Sequence, residues 1–337
     1  VQIKLAIQWM NKFDAISNSF GYATHQKNIS EAMQRNGVEI SDDADIAFFI
    51  VPLCHYVPVK NKINIVYTMY EYSSLPANWI NKLKDIDLLI VPCSHNKELF
   101  GRYTDVPISV CLEGTNTNYY KYVERNSKPN QFIWLWLGAN NLRKGYLPLI
   151  QAWNFWAKYH PDDFLIIKTT PNMVSTKEDV RRFKNHVMID SRKLPLDSLD
   201  SPPNMFDVYK YANAFIMPTM GEGFCLPLVE ALATGLPCIY TNWSGPTDYM
   251  NSDIGYPVDY ELVEVSTAEE IGYNKMEHWS RAAYADINSI LRQMATIYFN
   301  YDIALEKGRR GAEMVRKKLT WDISAKNLIK TIKDFVR

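Results

Sequence analysis

No run in this 337-residue chain is long and apolar enough to cross a bilayer, and neither sign of charge is in excess. Lysine and arginine number 37, as do aspartate and glutamate, so no global field draws the chain to nucleic acid or to an anionic membrane. Cysteine is sparse: Cys54, Cys93, Cys111, Cys225 and Cys238 form no C-x-x-C pair. That argues against a disulfide framework and a zinc ribbon, and no histidine spacing restores a zinc site. The thiols are expected to be buried in a reducing compartment. The opening "VQIKLAIQWM" carries a charge and lacks a signal-peptide pattern. Short-period repeats and low-complexity tracts are missing too. The expectation is a cytoplasmic protein, at most peripheral to a membrane, with no stable membrane insertion.

What is present reads as an ordinary globular chain, 47% apolar and 22% charged, with the length of two domains. Strand-length apolar runs alternate with helical stretches. "IKLAIQW" (3–9), "ADIAFFIV" (44–51), "INIVYTMY" (63–70), "IDLLIVP" (86–92) and "ISVCL" (108–112) read as strands. A polar loop is expected over 11–26, then a helix stopped by Gly37. "PANWINKLKD" (76–85) and "SHNKELFGRY" (94–103) read as helices opened by Pro76 and Ser94, with Ser94 as a cap. After a polar, aperiodic linker (121–131) the pattern restarts. Strands are expected at 132–138, 164–170, 187–190, 214–219 and 237–241, and helices at 145–160, 202–212 and 227–235. The tail from about 279 reads as helical throughout. Continuous apolar strands between helices imply parallel sheets covered on both faces. The fold class expected is α/β, two doubly wound Rossmann-like halves facing across a cleft. The domains are expected at 1–125, 126–315 and 316–337, the last a closing helix packing back on the first domain.

One stretch concentrates the chemistry: "GEGFCLPLVEALATGLP" (221–237). A strand ends before it, Leu226 or Pro227 opens a helix, and Gly235 stops that helix. Unpaired N–H groups at Phe224, Cys225 and Leu226 make an anion seat, which Gly221 and Gly223 let a ligand approach. Helical side chains tilt toward the N-terminus, so Glu230 points back toward the loop holding Glu222. Two carboxylates beside a phosphate seat suit a ligand with hydroxyls on both sides of a phosphate, such as a nucleotide sugar. The alternative is a solvated Glu222 and a Glu230 that caps a neighbouring helix.

"EGFCLPLVEALATGLPCIYTNWSGPTDY" resembles the E-x7-E signature of family 4 retaining glycosyltransferases, which have the GT-B fold. "FIWLWLGANNLRKGYLPLIQAW", "IVYTMYEYSSLPANW", "LLIVPCSHNKELF", "CLEGTNTNYY" and "LTWDISAKNLI" are similar to further family segments in the family's order. The resemblance implies a glycosyltransferase that needs no metal and no cofactor, with a nucleoside-diphosphate sugar as co-substrate. Glu222 and Lys144 would be catalytic. Glu222 would hold donor-sugar hydroxyls, and the backbone from Gly223 through Phe224, Cys225 and Leu226 would hold sugar and phosphate. Glu230 would bind the ribose. Lys144 would neutralise the leaving diphosphate at a turn that includes Gly138, with Gly21 approaching from the loop after the first strand. Two departures stand out. Members often have glycine at Cys225, and many have arginine directly after Gly138, where this chain has Ala139 and Asn140. Arg143 is then a candidate substitute in the diphosphate clamp.

The first half should supply the acceptor side, with His55, Glu71 and His95 as candidates to orient or deprotonate a hydroxyl or to serve as structural hydrogen-bond groups. The acceptor classes left open are a glycan, a lipid-linked sugar, a protein and a modified nucleic acid. Rival readings are a nucleotide-sugar hydrolase or phosphorylase, or a nucleotide-sugar-binding protein without turnover. "DDAD" (42–45) reads as a solvated turn, and the basic run 306–318 as a helix face. Trp134 and Trp136, alternating in a strand, read as packing.

Overall fold

The computed structural model describes residues 6–9, 20–139, 141–169, 187–190, 205–266 and 279–337. The first sheet comprises β1 (Ala6–Trp9), β2 (Glu39–Ile40), β3 (Ile46–Ile50), β4 (Ile63–Tyr67), β5 (Leu88–Val91) and β6 (Ile108–Val110), with α1 (Phe20–Arg35), α2 (Ala77–Leu83) and α3 (Ser94–Gly101) between them. Its order is β2-β1-β3-β4-β5-β6, parallel throughout. The second comprises β7 (Ile133–Leu137), β8 (Phe164–Lys168), β9 (Val187–Asp190), β10 (Ala214–Met217), β11 (Cys238–Thr241) and β12 (Tyr256–Val258), with α4 (Tyr146–Trp156), α5 (Met205–Tyr211) and α6 (Leu226–Ala233). Its order is β12-β11-β10-β7-β8-β9, again parallel. Strands β3, β5, β10 and β11 are buried at every residue, which is why they read as unbroken apolar runs. Trp134 and Trp136 are fully buried, as their alternation predicts.

Four readings of the sequence change. The segment Trp279–Ala285 is a strand, β14, paired antiparallel with β13 (Tyr260–Ser266); helix α7 (Ile287–Phe299) starts only after it. Its alanines carry helix propensity, but exposed Trp279 and Arg281 alternate with buried Ser280 and Ala282, and packing decides. Helix α1 starts at Phe20, inside the expected loop. Its buried stripe runs Tyr22, His25, Ile29, Ala32 and Met33, and a histidine in that stripe masks the period. Gly21 therefore lies in the first turn of α1 and not in a loop. Ser94 does not cap α3: its N–H and hydroxyl donate to Asp248 Oδ2, at 2.8 and 2.9 Å, across to the other half of the chain. Residues 3–5 of the first expected strand and 202–204 of an expected helix lie outside the described residues.

The halves are bound together in several places. The linker Arg125 donates to the carbonyls of Val123, Tyr209, Ala212 and Thr234. Helices α8 (Tyr301–Lys318) and α9 (Trp321–Phe335) close the chain, and α9 buries Trp321, Ala325, Leu328, Ile329 and Ile332 in the core shared with α1 and β3–β5. The β13–β14 hairpin packs Ala282 into the core on the other face of the first sheet. There Ser73 N–H donates to Arg281 O at 3.1 Å, and Ala283 N–H donates to Met220 O at 2.9 Å.

Candidate functional site

Ligands of open parallel sheets bind beyond the carboxyl ends of the strands, where the strand order reverses. In the second sheet that point lies between β7 and β10, so the loops leaving those strands meet there. The first loop ends in a single 3-10 turn, Leu142–Lys144. Asn141 caps it by accepting the Lys144 N–H at 3.1 Å, and Gly145 closes it at φ 73°. A Cβ at Gly145 would lie 1.8 Å from Pro218 O, so only glycine lets this turn sit against the second loop. The second loop is "MGEGF". A Cβ on Gly221 would lie 2.1 Å from Glu71 O, and one on Gly223 would lie 2.7 Å from Met69 Cβ. Its glycines thus let the first half of the chain approach, where a ligand approach was expected. Behind it, Ser244 Oγ accepts the Glu222 N–H at 3.0 Å, and Gly245 N–H donates to Glu222 O at 3.0 Å.

These turns bring four charged side chains together. Lys144 Nζ lies 2.7 and 2.9 Å from the two oxygens of Glu222. Arg143 Nη1 lies 3.3 Å from Glu222 Oε2, and Nη2 lies 3.5 Å from Glu71 Oε1. Glu71, Arg143 and Glu222 are buried. Beside them α6 begins. The N–H groups of Phe224, Cys225 and Leu226 make no hydrogen bond among the described residues. Cys225 takes φ 78°, ψ 68°, a left-handed conformation that glycine adopts without a Cβ penalty. That gives a conformational reason for glycine in family members. Burial pushes the Cys225 thiol up, so it is no thiolate nucleophile.

Glu230 faces different surroundings. Tyr209 OH donates to its Oε2 at 2.8 Å. It opens onto a cavity of about 190 Å³, lined also by Thr24, Asn28, Thr115, Asn116, Tyr120 and Trp321. Burial raises its carboxyl to about 7, against the hydrogen bonds from Tyr209 and Tyr120. Glu222 and Glu230 therefore contact separate sets of residues, and neither the solvated-turn nor the helix-cap alternative describes them. Gly21, exposed in α1 one turn before Thr24, has no atom within 4 Å of a Cβ position; Gly138 packs on Lys144, whose Cγ lies 3.4 Å from such a position.

Of the acceptor-side candidates, Glu71 joins the charged cluster. His95 stacks edge-on to Trp243, ring centroids 4.9 Å apart, and Trp243 in turn packs against Gly221. Burial lowers the His95 pKa, opposed by a hydrogen bond to the Tyr72 backbone, and its Nε2 is buried without a partner among the described residues. His55 is exposed at the end of a 3-10 turn, Leu53–His55, that packs against α2; the structure does not bring it to the cluster. Asn140 lies outside the described residues. Sequence reasoning missed Ser244, Asp248, Trp243 and Tyr209. The first three sit in "NWSGPTD", whose Ser-Gly-Pro turn was the available signal. Among the described residues no group of three His, Cys, Asp or Glu side chains is placed to hold a metal ion, and no helix is long and apolar enough to cross a membrane.

Residues 122–271 match the family model for glycosyl transferases, group 1. That match spans less than half of the chain; the two facing Rossmann-like sheets define the fold class, a GT-B architecture. In sequence, 122 residues are 30% identical to the UDP-Gal:alpha-D-GlcNAc-diphosphoundecaprenol alpha-1,3-galactosyltransferase of Escherichia coli; the match takes in 35% of this chain and 30% of that enzyme. Among solved structures, Anabaena HepE, determined with UDP and glucose, superposes with a TM-score of 0.71 at 11% identity, covering 98% of this chain and all of HepE. Sucrose-phosphate synthase from Thermosynechococcus elongatus superposes at 0.65 and 15% identity, covering 94% of this chain and 79% of that one.

Proposed function

We propose that the chain is a retaining, metal-independent glycosyltransferase of the family 4 type that moves a sugar from a uridine diphosphate sugar to an acceptor hydroxyl. The observation that carries this reading is the Lys144–Glu222 contact at the switch point, beside the N-terminus of α6. Without a donor, each charge satisfies the other. A diphosphate seated on the Phe224–Leu226 N–H groups would draw the Lys144 ammonium to itself, leaving the Glu222 oxygens to accept hydrogen bonds from sugar hydroxyls. Preorganised cation and N–H donors then stabilise the charge that develops as the bond from the anomeric carbon to the phosphate oxygen breaks. In the retaining reading the acceptor oxygen bonds to the anomeric carbon on the same face, and its proton passes to the departing phosphate oxygen, so no enzymic nucleophile is needed. His95 Nε2 would orient the acceptor hydroxyl. Glu230, held by Tyr209, and the cavity that Glu230 borders would take the ribose. Uridine as the base is supported by the names of the E. coli enzyme and of the HepE complex.

Thermal unfolding with a series of nucleotide sugars tests the reading. A bound donor stabilises by about 2.7 kcal/mol at 100 times its dissociation constant, so UDP and at least one UDP-sugar should raise Tm. Turnover of that donor should survive EDTA, and an α-linked donor should give an α-linked product by NMR. No shift with any nucleotide sugar contradicts donor binding, a β-linked product contradicts retention, and loss of turnover in EDTA contradicts metal independence. Sugar release at full rate without acceptor would favour a hydrolase.

A further inference from the structure

Arg143 is placed one residue before Lys144, and its guanidinium is buried against Gly221, Glu222 and Glu71. It is 8% exposed. Its Nη1 donates to Gly221 O at 2.7 Å and lies 3.3 Å from Glu222 Oε2; its Nη2 lies 3.5 Å from Glu71 Oε1. Its backbone carbonyl accepts the Met220 N–H at 2.7 Å. One residue therefore holds three successive positions of the donor loop, Met220, Gly221 and Glu222. The loop is held from the other side by the first half of the chain: the Glu71 backbone abuts Gly221, and Met220 is buried in the core under β3–β5. Glu71 follows β4 and is 7% exposed, so its carboxylate has been taken from water to meet Arg143. A buried ion pair of this kind adds little stability against an apolar replacement, but losing one partner strands the other charge. What it fixes is geometry, because the guanidinium fork can satisfy a carbonyl and two carboxylates only in one arrangement.

Building on the glycosyltransferase reading above, we propose that Arg143 is a positioning residue that couples the acceptor-side half of the chain, through Glu71, to the transfer glutamate Glu222. On this account Arg143 is not a second diphosphate ligand, and Glu71 does not take the acceptor's proton. Glu222 is set at its working position only while Glu71 abuts the donor loop, so the donor site is complete only when the two halves are closed on each other. Lys144 alone remains to face the diphosphate.

The test uses the full chain with Arg143→Gln, Glu71→Gln, the double variant and Arg143→Lys, each checked for native circular dichroism. Two quantities are measured: the dissociation constant for UDP by titration calorimetry, and kcat and KM for UDP release from whichever of UDP-galactose, UDP-glucose and UDP-N-acetylglucosamine the wild type turns over fastest. Misplacing a reacting group by about 1 Å costs on the order of 100-fold. The two glutamine variants and their double should therefore share one loss of kcat of that order. UDP affinity should stay within about twofold, the scatter expected of uncoupled sites. Arg143→Lys should recover part of the rate. If Arg143→Gln weakens UDP more than about tenfold while Glu71→Gln does not, Arg143 is a diphosphate ligand and the proposal is overturned. Losses that multiply in the double variant overturn it as well, since they mean independent roles. A wild-type chain that binds no UDP contradicts the glycosyltransferase reading itself, before any variant is compared.

Discussion

At Glu230, burial and hydrogen bonding pull in opposite directions, and burial wins: the carboxyl rises from 4.5 to about 7. The consequence for stability has a definite sign. Below about pH 4.5 the group is neutral in both folded and unfolded chains. Above about pH 7 it is charged in both, and the folded chain carries the desolvation cost. Stability is therefore lost as pH rises from about 4.5 through about 7, by up to about 3 kcal/mol. Glu230→Gln keeps an acceptor for Tyr209 and removes the charge, so it should raise Tm by several degrees at pH 8 and leave it unchanged at pH 4.5. An equal shift at both pH values would contradict the assignment. The surroundings of this residue were only half legible in the sequence. Its place on α6 followed from the glycine, proline and apolar signals around it. Its partners did not, because Tyr209 lies on α5 and the cavity beyond is walled by α1 and α9.

At the scale of single elements, the loops that build the site were legible only in part. Leu226 as the helix start was read there; Asn141 as a cap and Gly145 as a stop are equally local chemistry but were not read, and the glycines around Glu222 admit the first half of the chain where a ligand was expected. Gly145→Ala tests how far that local chemistry reaches. The added methyl must take φ 73° and would lie 1.8 Å from Pro218 O, so turn and loop must separate. We expect a Tm lower by several degrees, corresponding to a loss on the order of 1–3 kcal/mol, together with loss of UDP binding because Lys144 moves. An unchanged Tm and UDP affinity would show that the turn adapts. The least legible elements were those fixed from outside. Strand β14 has the alanines of a helix and is held extended by β13 and by the first half of the chain. Helix α1 hides its period behind buried His25. Ser94 has the side chain of a cap, but its hydroxyl donates to Asp248 from another part of the fold. Cys225 reads as a simple departure from a glycine pattern, and only its positive φ shows what the pattern requires.

For the whole molecule, alternating strands and helices were enough to anticipate two doubly wound halves. They were not enough to anticipate how tightly these are joined. Helix α9, the β13–β14 hairpin, the Ser94–Asp248 hydrogen bonds and the Glu71–Arg143 pair all cross from one half to the other, and none of these contacts joins residues close in sequence. One of those crossings, the Glu71–Arg143 pair, lies in the charged cluster itself, so on the proposed reading the chemistry would depend on the closed arrangement as well as on the residues. The central claim is that Glu222 and Lys144 together perform sugar transfer from a nucleotide donor. It is tested most directly by the turnover number for UDP release from the preferred UDP-sugar, compared among the wild type, Glu222→Gln and Lys144→Ala after circular dichroism confirms that all three are folded. Removing a single preorganised group of this kind costs on the order of 100- to 1,000-fold, and that loss is predicted for each variant. Turnover at the wild-type rate in either folded variant would contradict the claim.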